Sequence, residues 1–357
     1  MRFIVKIVRF VFNGEWDVFM EGFQFTRKNL TIKARINMVL MRITQKIRLS
    51  RTLGVPYFIS VEPASICNLN CPICPSGLHK SRRDPALLPL QDFKKLIDEV
   101  GEYLLFIQLW NWGEPFLNPD IYDMIAYAKR KGIIVVSSTN GHFLNNHDNI
   151  QKLIESGLDG LILAVDGTTQ EVYEQYRIGG KLDQVLDGIR MLVKAKSESG
   201  AASPLLLFRM VINAFNEHQV DDFIQLGKNL GVDMSSLKKI NCNMGGEDRS
   251  SYVLPQDGEY IRPRREQGFK YHCIIPWCNP ILFSDGKIGL CGLAAQGETA
   301  LQVISPGNSF RRIWQSKEAR VFRNNLKKDH DHYQFCRSCD CREPDYDDSR
   351  FDIQKLK

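Results

Sequence analysis

Glu62-Pro63-Ala64-Ser65-Ile66-Cys67-Asn68-Leu69-Asn70-Cys71-Pro72-Ile73-Cys74-Pro75 is the stretch that decides how this chain is read. It follows residues 57–61, a short run of aromatic and β-branched residues with strand character. Its three cysteines are spaced C-x3-C-x2-C. Three thiolates this close in sequence suit one face of a [4Fe-4S] cluster, which leaves one of its four irons open to a small molecule. A closed structural zinc site asks for a fourth protein ligand, and cysteines that only pack have no reason to fall at this spacing.

Outward from this motif the chain alternates short β-rich runs with amphipathic helical ones, the signature of βα units around a parallel sheet. Strands are expected over 57–61, 104–109, 133–137, 160–165, 205–211 and 236–240. Helices are expected over 90–100, 121–131, 150–156, 182–196 and 221–230. Six units are too few for an eight-fold barrel, so the fold class is α/β, a partial (β/α)6 TIM-like barrel. Near residue 245 the rhythm stops, and 245–268 is polar and rich in Arg and Pro, which reads as a linker. Beyond it lie six of the ten cysteines and a hairpin signal at Ser284-Asp285-Gly286-Lys287. The expected division is a basic helical extension over 1–54, the partial barrel over 55–245, and a small iron–sulfur C-terminal domain over 246–357.

Composition sets further bounds. With 43% hydrophobic and 25% charged residues, the 357-residue chain buries a sizeable core. No apolar run approaches the roughly 18–20 residues a membrane-spanning helix needs. Residues 1–61 carry 11 Lys/Arg against 3 Asp/Glu, whereas the rest carries 36 against 38, so a net +8 is concentrated at one end. No acid falls between Glu21 and Glu62, and Arg27, Lys28, Lys33, Arg35, Arg42, Lys46, Arg48 and Arg51 are interleaved with Ile36, Val39, Leu40, Ile43 and Ile47. This pattern reads as a basic amphipathic helix suited to an anionic membrane surface, with a helix packed on the barrel as the alternative. Nucleic acid is not an expected partner, because the positive charge is confined to one segment. Residues 1–12 lack the cleavage site of a signal peptide, so a cytoplasmic location is expected, membrane-associated at most. Clustered cysteines there read as metal ligands rather than disulfides.

With these motifs in place, residues 55–341 resemble the radical S-adenosylmethionine (SAM) superfamily, in the branch whose C-terminal extension is called SPASM. The resemblance implies that Cys67, Cys71 and Cys74 hold a [4Fe-4S] cluster whose open iron is chelated by SAM. It also implies oxygen sensitivity and an external reductant such as flavodoxin or ferredoxin. Gly113-Glu114-Pro115 after the second strand looks like the family's turn that meets the SAM amino group, though alone it is a common turn. Ser138 and Asn140 end the third strand where the family's polar side chains reach SAM, and Asn140-Gly141 is also an ordinary turn former. Asp166 falls in a segment similar to the family's Ser-x-Asp-Gly, and Arg177 stands where the family has an arginine that pairs with the SAM carboxylate, so both are candidate SAM-site residues. Ala164 departs from the family's usual hydroxyl residue. Arg209 on the fifth strand has two readings, a SAM contact or a local ion pair.

Cys273, Cys291, Cys336 and Cys339 resemble the SPASM layout and imply one auxiliary [4Fe-4S] cluster. A four-cysteine zinc ribbon is the alternative. Cys242, Cys278 and Cys341 remain over, while His330 and His332 read as solvated beside a charged run. Shortened SPASM relatives epimerise or dehydrogenate carbohydrate-type molecules, and fuller ones modify peptides. The expected substrate is therefore an unidentified small molecule, carbohydrate-type or lipid-linked, with a peptide as the alternative. Cys242, near the end of the sixth strand, is the candidate hydrogen donor of an epimerase. A non-catalytic zinc or electron-transfer protein is the rival from another class.

Overall fold

The computed structural model describes residues 9–78, 83–240, 253–261, 273–294, 297–337, 339 and 350–356. The first segment departs from the expected helical extension. A π-helical turn over Arg9–Asn13 leads into β1 (Trp16–Met20) and β2 (Phe23–Arg27), an antiparallel hairpin pairing Trp16 with Arg27 and Met20 with Phe23. Its two-residue turn, Glu21-Gly22, sits at φ 52° and 93°, the left-handed geometry that matches the twist of the flanking strands. Val18 and Phe23 are buried while Phe19 and Gln24 are exposed. That period of two, rather than 3.6, makes this stretch strand. Only then comes helix α1 (Ile32–Ile47), capped by the Thr31 hydroxyl accepting from the Ala34 N–H and ended at left-handed Arg48.

The hairpin plugs the N-terminal end of the barrel. Phe23 lies so close to Gly160 that a Cβ there would come within 3.1 Å of its ring, and Arg27 donates to the Lys131 carbonyl. Then follow β3 (Phe58–Val61), α2 (Leu90–Val100), β4 (Phe106–Gln108), α3 (Ile121–Arg130), β5 (Ile134–Thr139), α4 (His147–Glu155), β6 (Gly160–Ala164), α5 (Gln170–Tyr176), α6 (Leu182–Ser199), β7 (Leu205–Ile212), α7 (Val220–Leu230) and β8 (Met234–Lys239). The six strands β3 to β8 are parallel and adjacent in sequence order. Ile107, Val135, Leu161, Leu163, Leu207 and Phe208 are fully buried, as both faces of a covered parallel sheet require.

The C-terminal segment is not a detached appendage. β9 (Ile281–Leu282) pairs parallel with β3, and β10 (Lys287–Gly289) and β11 (Ala300–Val303) extend the sheet antiparallel. β12 (Arg350–Lys355) lies antiparallel on β8 at the other edge, so both edges of the barrel sheet are covered. The hairpin read at Ser284–Lys287 is present, with Gly286 at φ 79° and the Phe283 N–H donating to the Lys287 carbonyl at 2.9 Å. Within the expected linker, Val253 is fully buried against Ile73 and Tyr176, which ties that segment to the cysteine loop. Cys242 and Cys341 lie outside the described residues.

Candidate active site

The C-terminal ends of β3 to β7 face one region, the edge where barrel enzymes build their sites. The loop after β3 carries Cys67, Cys71 and Cys74, with Cys71 buried, the other two half-buried and all three free thiols. The Cys74 N–H donates to the Cys71 carbonyl at 3.2 Å and the Leu69 N–H points at Cys67 Sγ at 3.4 Å. Gly77 closes the loop, since a Cβ there would come within 2.6 Å of the Cys71 nitrogen. Burial pushes the Cys67 thiol up to about 11 and the Cys71 thiol up to about 12. Both therefore hold their protons unless a metal displaces them. Among the described residues no three Cys, His, Asp or Glu side chains are drawn to metal-binding distance. The loop instead brings three thiols of one kind into mutual electrostatic reach, a soft donor set suited to iron–sulfur rather than to calcium or magnesium.

Gly113 presses the loop after β4 onto this one. It sits at φ 86°, and a Cβ would strike the Ala64 carbonyl and come within 2.7 Å of the Ile66 carbonyl. The buried Glu114 carboxylate accepts from the Thr139 hydroxyl at 2.8 Å, the Asn140 N–H at 2.8 Å and the Phe116 N–H at 3.2 Å. Burial pushes it up to about 7 despite these three donors. Glu114 thus braces the end of β4 against the end of β5, with Pro115 opening the 3-10 turn that follows. Asn140 is aimed at the cysteine loop: its amide donates to Asn68 Oδ1 at 2.8 Å and lies 3.9 Å from Cys67 Sγ. Ser138, two residues earlier, is half-buried on β5.

Asp166 and Arg177 form a buried ion pair at 2.5 Å. Asp166 Oδ1 accepts from the Val211 N–H at 2.7 Å, fastening β6 to β7, and Arg177 Nη1 approaches Cys71 Sγ at 3.8 Å. Burial opposes the Arg177 charge, yet Asp166 and Cys71 outweigh it and hold the guanidinium well above its ordinary value. Arg177 is the cation beside Cys71, whose thiol burial raises further than that of Cys67.

Arg209 is engaged in a local ion pair. Its guanidinium turns toward the plugged end of the barrel, where it meets Glu21 at 2.7 Å and donates to Ser236 Oγ at 3.1 Å. Sequence reasoning missed Glu62, the residue that follows β3. Its fully buried carboxylate is bound twice by Arg83, at 2.8 Å on each oxygen, and accepts from Asn111 at 3.0 Å and from the Ser284 hydroxyl at 3.0 Å. Arg83 also lies over the Phe283 ring at 4.4 Å, and the Trp112 indole donates to the Gly292 carbonyl at 3.0 Å. One buried ion pair therefore joins the cysteine loop, the end of β4 and the hairpin that carries Cys291. The only local signal was an acid placed directly before the motif. His142 was missed as well; its Nδ1 faces Asn140 Oδ1 at 3.0 Å and its Nε2 accepts from the Lys181 N–H at 3.0 Å.

The second thiol set is Cys273, Cys291, Cys336 and Cys339. Cys336 is buried and its carbonyl accepts from the Cys339 N–H at 3.2 Å, while Cys291 is held by reciprocal bonds between its backbone and the Thr299 hydroxyl, at 3.1 and 3.0 Å. Burial pushes Cys291 up to about 12, and Cys273 is raised by burial and by the charges of the other three. Cys273 is thus within electrostatic reach of Cys291, Cys336 and Cys339, a four-thiol set of the kind a closed cluster takes. Cys278 donates instead to the Ile274 carbonyl at 3.3 Å. His330 is buried rather than solvated, its Nδ1 facing Asp331.

Comparison with known proteins agrees with this geometry. Residues 61–227 match the radical SAM superfamily and residues 273–340 match SPASM, described as an iron–sulfur cluster-binding domain. The chain is 28% identical over 209 residues to the AdoMet-dependent heme synthase of Methanosarcina barkeri, covering 58% of this chain and 57% of that one. It is 26% identical over 251 residues to the mycofactocin maturase MftC of Mycolicibacterium smegmatis, covering 70% and 59%. It thus spans less than two thirds of the length of either relative. In fold it is similar to BtrN in complex with AdoMet and 2-DOIA, with a TM-score of 0.51 and 17% identity over 84% of this chain and 99% of that one. It is also similar to SuiB of Streptococcus suis bound to the precursor peptide SuiA, with a TM-score of 0.59 and 12% identity over 81% and 71%. The chain carries a radical SAM domain and a SPASM iron–sulfur domain, so its cofactors are SAM, a [4Fe-4S] cluster and an auxiliary iron–sulfur cluster.

Proposed function

We propose that this protein is a radical SAM enzyme that removes a hydrogen atom from a carbohydrate-type or lipid-linked small molecule, leading to epimerisation or dehydrogenation. The cluster and SAM, when bound, supply reductive cleavage of SAM to a 5′-deoxyadenosyl radical that takes the hydrogen atom. The observation that carries the reading is the convergence of Cys67, Cys71, Asn140, Asp166 and Arg177 at one edge of the barrel. Arg177 offsets thiolate charge beside Cys71, Asn140 holds Asn68 within the loop, and Glu114 keeps the ends of β4 and β5 together. An external reductant such as flavodoxin or ferredoxin delivers the electron. After hydrogen removal, a thiol, for which Cys242 is the candidate, would return a hydrogen atom on the opposite face and be left as a thiyl radical that an electron from the reductant and a proton restore; in a dehydrogenation the substrate radical would instead lose a proton and pass its second electron to the auxiliary cluster. Support for a small-molecule substrate comes from the match along nearly all of BtrN, a protein solved in complex with AdoMet and 2-DOIA. Support for the second reading, a peptide substrate, comes from the maturase relative and the peptide-bound SuiB structure.

Extracts from cells grown in heavy water separate these readings. Incubated anaerobically with the reduced enzyme and SAM, the small-molecule fraction should place deuterium in 5′-deoxyadenosine. Labelling from the peptide fraction alone would move the proposal to its second reading, and labelling from neither would overturn both.

A further inference from the structure

Helix α1 is apolar on the face it leaves exposed. Its packed face is built from Ala34, Asn37, Met38, Met41, Thr44 and Gln45, with the Asn37 side chain bracketing Val55 through bonds of 2.9 and 3.0 Å to its backbone. Ile32, Ile36, Val39, Ile43 and Ile47 stand on the opposite side, each 44–67% exposed. At 3.6 residues per turn these five fall within a stripe about 80° wide and about 22 Å long. Lys33 flanks one side of the stripe; Arg35, Arg42 and Lys46 flank the other. Phe12, 79% exposed, stands nearby because Arg35 donates to the carbonyl of Val11. A helix that only packs on a barrel presents polar residues to water, so a continuous row of β-branched aliphatics marks a contact surface.

We propose that α1 lies flat in the headgroup layer of an anionic lipid bilayer, with the isoleucine stripe reaching the acyl boundary and its basic flanks on lipid phosphates. The charge pattern selects this occupant. Residues 1–61 are net +8, with no acid between Glu21 and Glu62. Docking stripe to stripe with a second copy would set these like-charged flanks against each other, whereas an anionic bilayer offers opposite charge along the full length of both. Among the described residues no helix is long and apolar enough to cross a membrane, which is consistent with a helix that lies on the surface. The proposal does not depend on which reaction the barrel performs.

Sedimentation of the full-length, cluster-loaded protein with lipid vesicles tests it. Vesicles of phosphatidylcholine containing phosphatidylglycerol should carry the protein down, and pure phosphatidylcholine should bind it at least about tenfold more weakly. Each basic flank residue removed should cost about fivefold, so Arg42→Gln with Lys46→Gln should weaken binding about 25-fold. Ile36→Ser with Ile43→Ser should abolish binding while leaving 5′-deoxyadenosine formation in solution unchanged. Equal sedimentation with both vesicle types, or undiminished binding by the double serine variant, would overturn the proposal. So would a lipid-free dimer that the serine variant dissolves. None of these outcomes bears on SAM cleavage, which is measured in parallel.

Discussion

Arg83→Met tests whether the ion pair behind the cysteine loop holds the two iron–sulfur segments together. The Glu62 side chain is fully buried and Arg83 is 7% exposed, and the guanidinium reaches both carboxylate oxygens at 2.8 Å. Breaking such a pair from one side costs about 3–5 kcal/mol, because the remaining charge is stranded, whereas an exposed pair is worth about 0–1 kcal/mol. Glu62 retains Asn111 and Ser284 as donors, both at 3.0 Å, and methionine keeps much of the contact with Phe283. The loss should therefore sit at the lower end, about 3 kcal/mol. With a denaturant slope of roughly 3 kcal/mol per molar urea, that is a fall of about 1 M in the unfolding midpoint. The assay is anaerobic urea titration of cluster-loaded protein followed by tryptophan fluorescence, since Trp112 reports the contact with Gly292 directly. Adding Glu62→Gln removes the stranded charge and should recover more than half of the loss. A single variant within about 1 kcal/mol of the parent, or a double variant whose losses simply add, would refute the reasoning.

Two further predictions concern single side chains. Burial lifts the Glu114 carboxyl from its ordinary 4.5 to about 7. The folded state therefore binds this proton more tightly than the unfolded chain, and the resulting stability is complete below pH 4.5 and is lost as pH climbs through 7. At about 1.4 kcal/mol per pH unit, the parent should lose about 3 kcal/mol across that window relative to Glu114→Gln; a pH-independent difference between the two would contradict it. Arg209→Met should lower stability by about 3–5 kcal/mol by stranding Glu21, with SAM affinity unchanged in equilibrium dialysis; a large drop in SAM affinity would return Arg209 to the cofactor.

The barrel was legible because parallel strands covered on both faces are written as short continuous apolar runs, such as 133–136 and 160–165, separated by helices with a clear apolar period. Cysteine spacing and the Asp285-Gly286 turn were local signals of the same kind. What stayed hidden depends on distance along the chain. Arg209 and the Glu21 carbonyl it also reaches are 188 positions apart, and nothing local to either announces the other. Glu62 acquires its meaning only when Ser284, 222 positions on, folds back over it. β1 and β2 are only five residues each, too short for a period of two to stand out beside the longer helix that follows, and no residue count foretold that α1 would pack its methionines and expose its isoleucines.

The central claim is that Cys67, Cys71 and Cys74 hold the cluster at which SAM is cleaved. Its most direct test is to reconstitute the parent and the Cys67→Ala/Cys71→Ala/Cys74→Ala variant anaerobically, count iron, and measure reductant-dependent 5′-deoxyadenosine. The parent should hold about eight irons and form 5′-deoxyadenosine, and the variant should retain about four irons and form none. A fully loaded parent that forms no 5′-deoxyadenosine, or a variant that still forms it, would contradict the account.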